Sequence, residues 1–358
     1  MARTLPLRAH LGWLKKTAKQ QLVTLRQQQP EAQLSDAQFQ LAREYGFASW
    51  RALVEHVNQS TAQLQALTAA GVQEDPASLK PDDVDVVQLF AAVRSGNRAE
   101  VETLLRRRPQ LVHARDASGM TPLHLAAECN DPTLGIVMLA FGADAEATYG
   151  QSAHTPLSWA VTTNGLAFAA TLSKVGVEPD LFTAAGMGDL AAVQRCFVAP
   201  GLPETHRLKT GSSRFTADGS RLPCPPVTAP EQVADALYMA CRNGHAEVVR
   251  FLLTQQPDLQ FKGYLGAGLL HWACFGNSMD VVNQLLAAGL DPQERDPALG
   301  CTPREFGLCI SAQWGLRDLV QRQLERDPSL RDDVAPCARE LAEAEGHTGI
   351  VELLNQSR

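Results

Sequence analysis

Aromatic residues are scarce in this chain, at 6% of 358 residues. Sandwiches and barrels lean on aromatic and β-branched side chains, so a sequence dominated by alanine and leucine points to helices instead. Also missing is any apolar run of the ~18 residues that a membrane-spanning helix needs, so no membrane span is expected. The first thirty residues show no apolar stretch followed by a small-residue cleavage site, and no secretory signal is read there. Eight cysteines are present, but none stands in a CxxC pair or a regular framework. That pattern reads as reduced thiols in a cytoplasmic protein. The sequons at Asn58 and Asn355 then carry no meaning, because a cytosolic chain does not meet the glycosylation machinery.

Motifs that carry chemistry are missing too. There is no GxxxxGK[ST], HExxH or GxSxG, and the acidic residues are scattered without a pair on one face. No active site, cofactor or metal site is expected. The segment Gly186-Met187-Gly188-Asp189-Leu190-Ala191 fits a loose dinucleotide fingerprint, which requires a preceding strand. Leu181 to Ala185 read instead as a helix, and Gly188 as the turn that follows it.

Acid is absent from residues 1–30, which hold Arg3, Arg8, Lys15, Lys16, Lys19 and Arg26. With a formal charge of −7 for the whole chain, these six cations leave −13 on the remainder. An acidic body argues against nucleic-acid binding there. Leu7, Leu11, Leu14, Ala18, Leu22 and Leu25 recur at helical spacing, so the basic residues line the outer face of an amphipathic helix ending before Pro30. A second helix is predicted with Ser35 as its cap and Gly46 as its stop, and a third from Ser49. Residues 1–80 are accordingly expected to form a helical N-terminal domain.

The rest of the chain repeats. Thr121-Pro122-Leu123 recurs as Thr155-Pro156-Leu157, and Asn130 recurs as Asn164, both 34 residues on. Ala240 to Val249, which contains Asn243-Gly244-His245, recurs 33 residues later as Ala273 to Val282. Thr-Pro starts a helix, with Thr as the capping oxygen and Pro in the first turn, where its missing N–H costs nothing. Gly or Asn closes the helix, because only these residue types readily take a left-handed backbone. Val248, Val249, Leu252 and Leu253 form one apolar face of a second helix.

A period of 33–34 residues with these motifs resembles the ankyrin-repeat family. The resemblance covers about residues 84–358 and implies an all-α ankyrin-repeat solenoid over residues 81–358. About eight helix-turn-helix units are expected, turning at Gly96, Asn130, Asn164, Gly188, Gly244, Asn277, Gly315 and Gly346. The first lacks Thr-Pro-Leu-His and reads as a cap, and the fourth is shortened. A Pro- and Gly-rich insertion at about 199–230 reads as a loop. Residues 42–50 resemble a segment found ahead of ankyrin repeats in bacterial proteins.

The resemblance further implies that His124, His271, His245 and His347 are architectural hydrogen-bonding struts, and that Cys241 and Cys274 fill core positions normally held by alanine. It implies a protein–protein interaction module (scaffold, adaptor or binding-type inhibitor) that engages one or more proteins through a concave groove, as a monomer. Carried onto this chain, the groove positions are Arg94, Glu128, Thr162, Thr163, Arg242 and Phe275 before the turns, with Met120, His154, Tyr264 and Leu265 at hairpin tips. Tyr264, Leu265 and Phe275 are read as exposed anchors; the alternative for Tyr264 and Phe275 is packing beneath the 199–230 loop. Two other readings stand beside this one. One is an enzyme with residues in the N-terminal helices or the insertion, where His206, Arg214, Asp218 and Cys224 are the candidates. The other is a basic N-terminal helix that binds membrane or nucleic acid.

Overall fold

The computed structural model describes residues 11–68, 79–150, 153–203, 211–216 and 220–355. Leu7, Arg3 and Arg8 of the first helix, and His206 and Asp218 of the insertion, lie outside the described residues. The fold is all-α, with twenty α-helices among the described residues. None of these helices is long and apolar enough to cross a membrane. By contacts the chain divides into two compact units, Met1–Gly150 with Thr155–Glu178, and Gln151–His154 with Pro179–Arg358.

In the first unit, α1 (Leu11–Gln28), α2 (Leu34–Glu44) and α3 (Trp50–Thr68) share a core built on Leu14, Ala18, Leu41, Tyr45, Leu53 and Val57. Lys15, Lys16, Lys19 and Arg26 are exposed on the opposite side of α1. The predicted cap of α2 is corrected from Ser35 to Gln33, whose N–H donates to Asp36 at 2.7 Å. Asp36, third in the helix, reaches back to the cap's N–H, whereas Ser35 is already the second helical residue. Gly46 ends the segment at φ 81° as expected, and the Ser49 hydroxyl caps α3 by accepting from Ala52 N–H at 3.2 Å.

Eight helix pairs follow. In the first unit they are α4 (Val84–Arg94) with α5 (Arg98–Arg107), α6 (Pro122–Glu128) with α7 (Pro132–Ala140), and α8 (Pro156–Thr162) with α9 (Leu166–Lys174). The second unit holds α10 (Leu181–Met187) with α11 (Leu190–Arg195), α12 (Ala229–Arg242) with α13 (Ala246–Leu253), and α14 (Leu269–Phe275) with α15 (Met279–Ala287). It continues with α16 (Pro303–Gln313) and α17 (Arg317–Arg326), a short α18 (Leu330–Asp333), and α19 (Ala335–Ala344) with α20 (Thr348–Asn355). Every predicted turn residue takes the left-handed backbone, from φ 51° at Asn130 to 77° at Gly244 and Gly346. The Thr-Pro starts behave as their chemistry requires: Thr155 accepts from Ser158 N–H, and Thr302 is capped reciprocally by Glu305.

Within each unit the first helices of successive pairs stack on one another. The stack is close enough to need glycine: a Cβ on Gly276 would stand 2.4 Å from the Cys241 carbonyl oxygen. Among the described residues, a short antiparallel hairpin, β1 (Phe197–Ala199) and β2 (Leu202–Pro203), stands at the start of the insertion, and α12 runs for 14 residues where α10 and α14 have 7.

Candidate partner-binding face

Leu181–Met187 is a helix and not a strand, so the Gly186 to Ala191 segment is a repeat turn, with Gly188 at φ 73°. Over that turn lies His245, whose Nε2–H donates to the Gly186 carbonyl at 2.9 Å, beside Asn243 at 2.8 Å. His347 repeats the arrangement on the Gln313 carbonyl at 3.0 Å. His271 donates to the Cys301 carbonyl at 3.2 Å, and His124 pairs with the Thr121 hydroxyl at 2.7 Å. All four histidines are spent on joining or capping repeats, as the resemblance implied. Burial holds the His245 and His271 imidazoles below their ordinary value, against the opposing pull of those carbonyls.

The second unit gathers the chain's scarce aromatics at one place. Trp272 of α14 is fully buried and meets Phe306 at 5.1 Å, Tyr238 and Phe275 at 5.5 Å, and Trp314 at 5.9 Å between ring centroids. Phe275 packs on Trp314 at 5.4 Å. Arg242, the last residue of α12, lays its guanidinium 5.5 to 5.7 Å from the Phe275, Trp272 and Trp314 rings. Such a cation held against desolvated π faces is worth ~2 kcal/mol or more, which offsets the burial that pushes the Arg242 guanidinium below its ordinary value.

Above this stack sits the hairpin that precedes α14. Gly263 N–H donates to the Ala267 carbonyl at 3.0 Å, and Gly266 N–H to Gly263 at 3.0 Å. Gly263 has to be glycine, since a Cβ would lie 2.6 Å from the Tyr238 ring. The tip exposes Tyr264, 43% accessible, with its ring 6.2 Å from Trp314 and 6.5 Å from Trp272. Leu265 beside it is half-buried with φ 61°, a left-handed conformation that a leucine adopts only at a cost.

Against the predicted site residues, the structure brings Arg242, Tyr264, Leu265 and Phe275 together but corrects the exposure expected of Phe275. That ring is 6% accessible, and it packs on the two tryptophans rather than beneath the insertion. Met120 and His154 are likewise buried, His154 tilting against Phe182 at 6.2 Å. In the first unit Arg94 and Glu128 are exposed, and Glu128 accepts the Trp159 indole N–H at 3.2 Å. The Thr162 and Thr163 hydroxyls turn back onto the Ser158 and Trp159 carbonyls at 2.9 and 3.0 Å. Trp314 was missed as a site residue. It stands immediately before the turn glycine Gly315, the same position that singled out Thr163.

The insertion supplies a second polar cluster. Arg214, 2% accessible, donates to Glu231 at 2.9 Å and to the Pro223 carbonyl. Asp235, buried in α12, accepts from Ser212 N–H at 3.1 Å and from the Ser212 hydroxyl. Burial pushes the Cys224 thiol up to about 12, with the Asp235 carboxylate adding to it. Arg214 and Ser212 thus staple the insertion to α12.

Comparison with known proteins agrees with this geometry. A family model for ankyrin repeats matches three copies, over residues 89–183 and 227–296. A 68-residue stretch is 35% identical to Palmitoyltransferase AKR1 of Kluyveromyces lactis. It covers 19% of this chain and spans only 9% of that relative's length.

Proposed function

We propose that this chain, an ankyrin-repeat protein, is a cytoplasmic binding module that acts as scaffold, adaptor or binding-type inhibitor through the Tyr264–Leu265 hairpin and the Trp314 edge of its second unit. Protein binding is the general role of ankyrin repeats, and such repeats are typically non-enzymatic. The observation that carries the reading is the contrast at the hairpin. An exposed tyrosine and a strained leucine stand on a base of buried aromatics and Arg242, which fixes them in place. Exposed aromatics on a rigid support are the usual anchors of an interface, because little side-chain entropy is lost when they are covered. A partner segment with an apolar or aromatic side chain matches that surface. The eight cysteines, none of them in a disulfide among the described residues, support a reducing compartment.

Affinity capture from the native lysate, comparing the wild type with Tyr264→Ala, tests the assignment. Phe275→Ala is a poor probe because that ring is core. A protein bound by the wild type and lost with Tyr264→Ala, while Glu128→Ala retains it, supports the second-unit face. Retention by Tyr264→Ala removes that face from consideration.

A further inference from the structure

Three cysteines converge where the last two helix pairs meet. Cys309 on α16 is buried, and its Sγ lies 3.7 Å from Sγ of Cys337 on α19, which is exposed. On its other side the Cys309 thiol hydrogen-bonds to Cys301, a buried residue just before α16. No group of three His, Cys, Asp or Glu side chains among the described residues is placed to hold a metal ion. We propose that Cys309 and Cys337 are a peroxide-responsive thiol pair, oxidised to a disulfide that ties α16 to α19.

The geometry needs little movement. The two sulfurs lie in van der Waals contact on packed neighbouring helices, and an S–S bond of ~2.05 Å closes the remaining gap. Access is one-sided. Cys337 meets solvent, whereas Cys309 is covered, so Cys337 is the sulfur that a hydroperoxide reaches first. Its thiolate attacks the distal peroxide oxygen; the S–O bond forms as O–O breaks, and the departing hydroxide or alkoxide takes up the thiol proton. Cys309 sulfur then attacks the Cys337 sulfenic acid, the S–S bond forming as S–O breaks. The leaving hydroxide departs as water with the proton given up by Cys309. Two thiols and one peroxide yield one disulfide and two molecules of water or alcohol, a two-electron oxidation that balances.

The test treats the reduced, desalted full chain with hydrogen peroxide and follows intact mass and disulfide-mapped peptides. The expected result is loss of two hydrogens, a single Cys309–Cys337 cross-linked peptide, and reversal by dithiothreitol. Cys337→Ser abolishes the cross-link while leaving the circular dichroism spectrum unchanged, as an exposed substitution should. A cross-link that maps to Cys301–Cys309, or sulfinic acid accumulating at Cys337 with Cys309 still reduced, overturns the proposal.

Discussion

Trp159 and Trp272 occupy one and the same repeat position, yet the two units use them in opposite ways. In the first unit Trp159 is half-buried, stacks edge-on to Tyr149 at 5.1 Å and gives its N–H to an exposed glutamate. In the second unit Trp272 is sealed inside, and its Nε1 finds no hydrogen-bond partner among the described residues. The neighbours decide the difference. Arg242, Phe306 and Trp314 close over Trp272, while Glu128 holds Trp159 at a wet edge. The contrast extends to charge. Ion pairs of the first unit, such as Arg98 and Arg106 on Glu102, lie at the surface, whereas the second unit buries Arg214 and Asp235. Surface pairs contribute little to stability, but a buried charged group makes its region sensitive to every change in it.

The comparison is broken most directly by removing each indole. Trp272→Ala should cost ~3–5 kcal/mol, the range for emptying a core tryptophan site. Trp159→Ala should cost roughly 1–2 kcal/mol, as expected of a half-exposed group. Urea denaturation of the two variants measures both. Equal losses would mean that the Trp272 environment relaxes around the hole and that the aromatic stack is not rigid.

Next in size is a single methyl group. Gly276→Ala places a Cβ 2.4 Å from the Cys241 carbonyl oxygen and 2.7 Å from that of Arg242, backbone atoms with no flexible side chain to yield. A loss of ~1–3 kcal/mol is expected, typical of overpacking, with α12 and α14 exchanging amide hydrogens faster. Gly289→Ala meets nothing within 4 Å and serves as the open-space control, although its φ of 91° still strains any side chain.

Acid–base behaviour sharpens the charge contrast. Burial raises the Asp235 carboxyl from 3.8 to about 7, against the pull of Ser212 and Arg214; Asp180 adds a smaller push upward. In the unfolded chain this group releases its proton near 3.8, and in the folded chain only near 7. The folded state therefore holds the extra proton between those values, and stability is lost as pH rises through that window. Asp235→Asn keeps an oxygen for Ser212 and removes the ionisation. The variant should gain on the wild type from about pH 4 to about pH 7 and then run parallel to it. His245 and His271, held low by burial, act with the opposite sign and weaken the fold as pH falls through 6.5. A pH-independent gap between wild type and Asp235→Asn in melting temperature would show that Asp235 is solvated.

The repeats were legible because their signals are local. Thr-Pro caps, Gly and Asn turns and the 33-residue period act over a few residues, so all eight turns sit where the spacing puts them. The candidate face was only half legible, since burial depends on what stacks above a residue. Phe275 carries the turn-flanking signal of an exposed position, but Trp314, which covers it, arrives from the next repeat on a helix of 11 residues, four longer than α14. Nothing local in Arg214 or Asp235 marks them as buried. They are 21 residues apart, and the bonds that cover them come from Ser212, Pro223 and Glu231.

Leu265 gives the smallest and most discriminating change. A leucine in the left-handed region costs ~1 kcal/mol or more, and glycine removes that cost while returning ~0.5–1 kcal/mol through its freer unfolded chain. Leu265→Gly should therefore melt at or slightly above the wild-type temperature, a net effect of at most ~1 kcal/mol. If the strained side chain is kept for partner contact, the same variant should capture less partner than the wild type, separating stability from binding in one substitution. A variant that melts higher and binds equally well would leave Tyr264 and Trp314 as the anchors and reduce Leu265 to a feature of the turn. One that melts several degrees lower would show that the half-buried side chain packs on the aromatic stack strongly enough to outweigh its backbone strain.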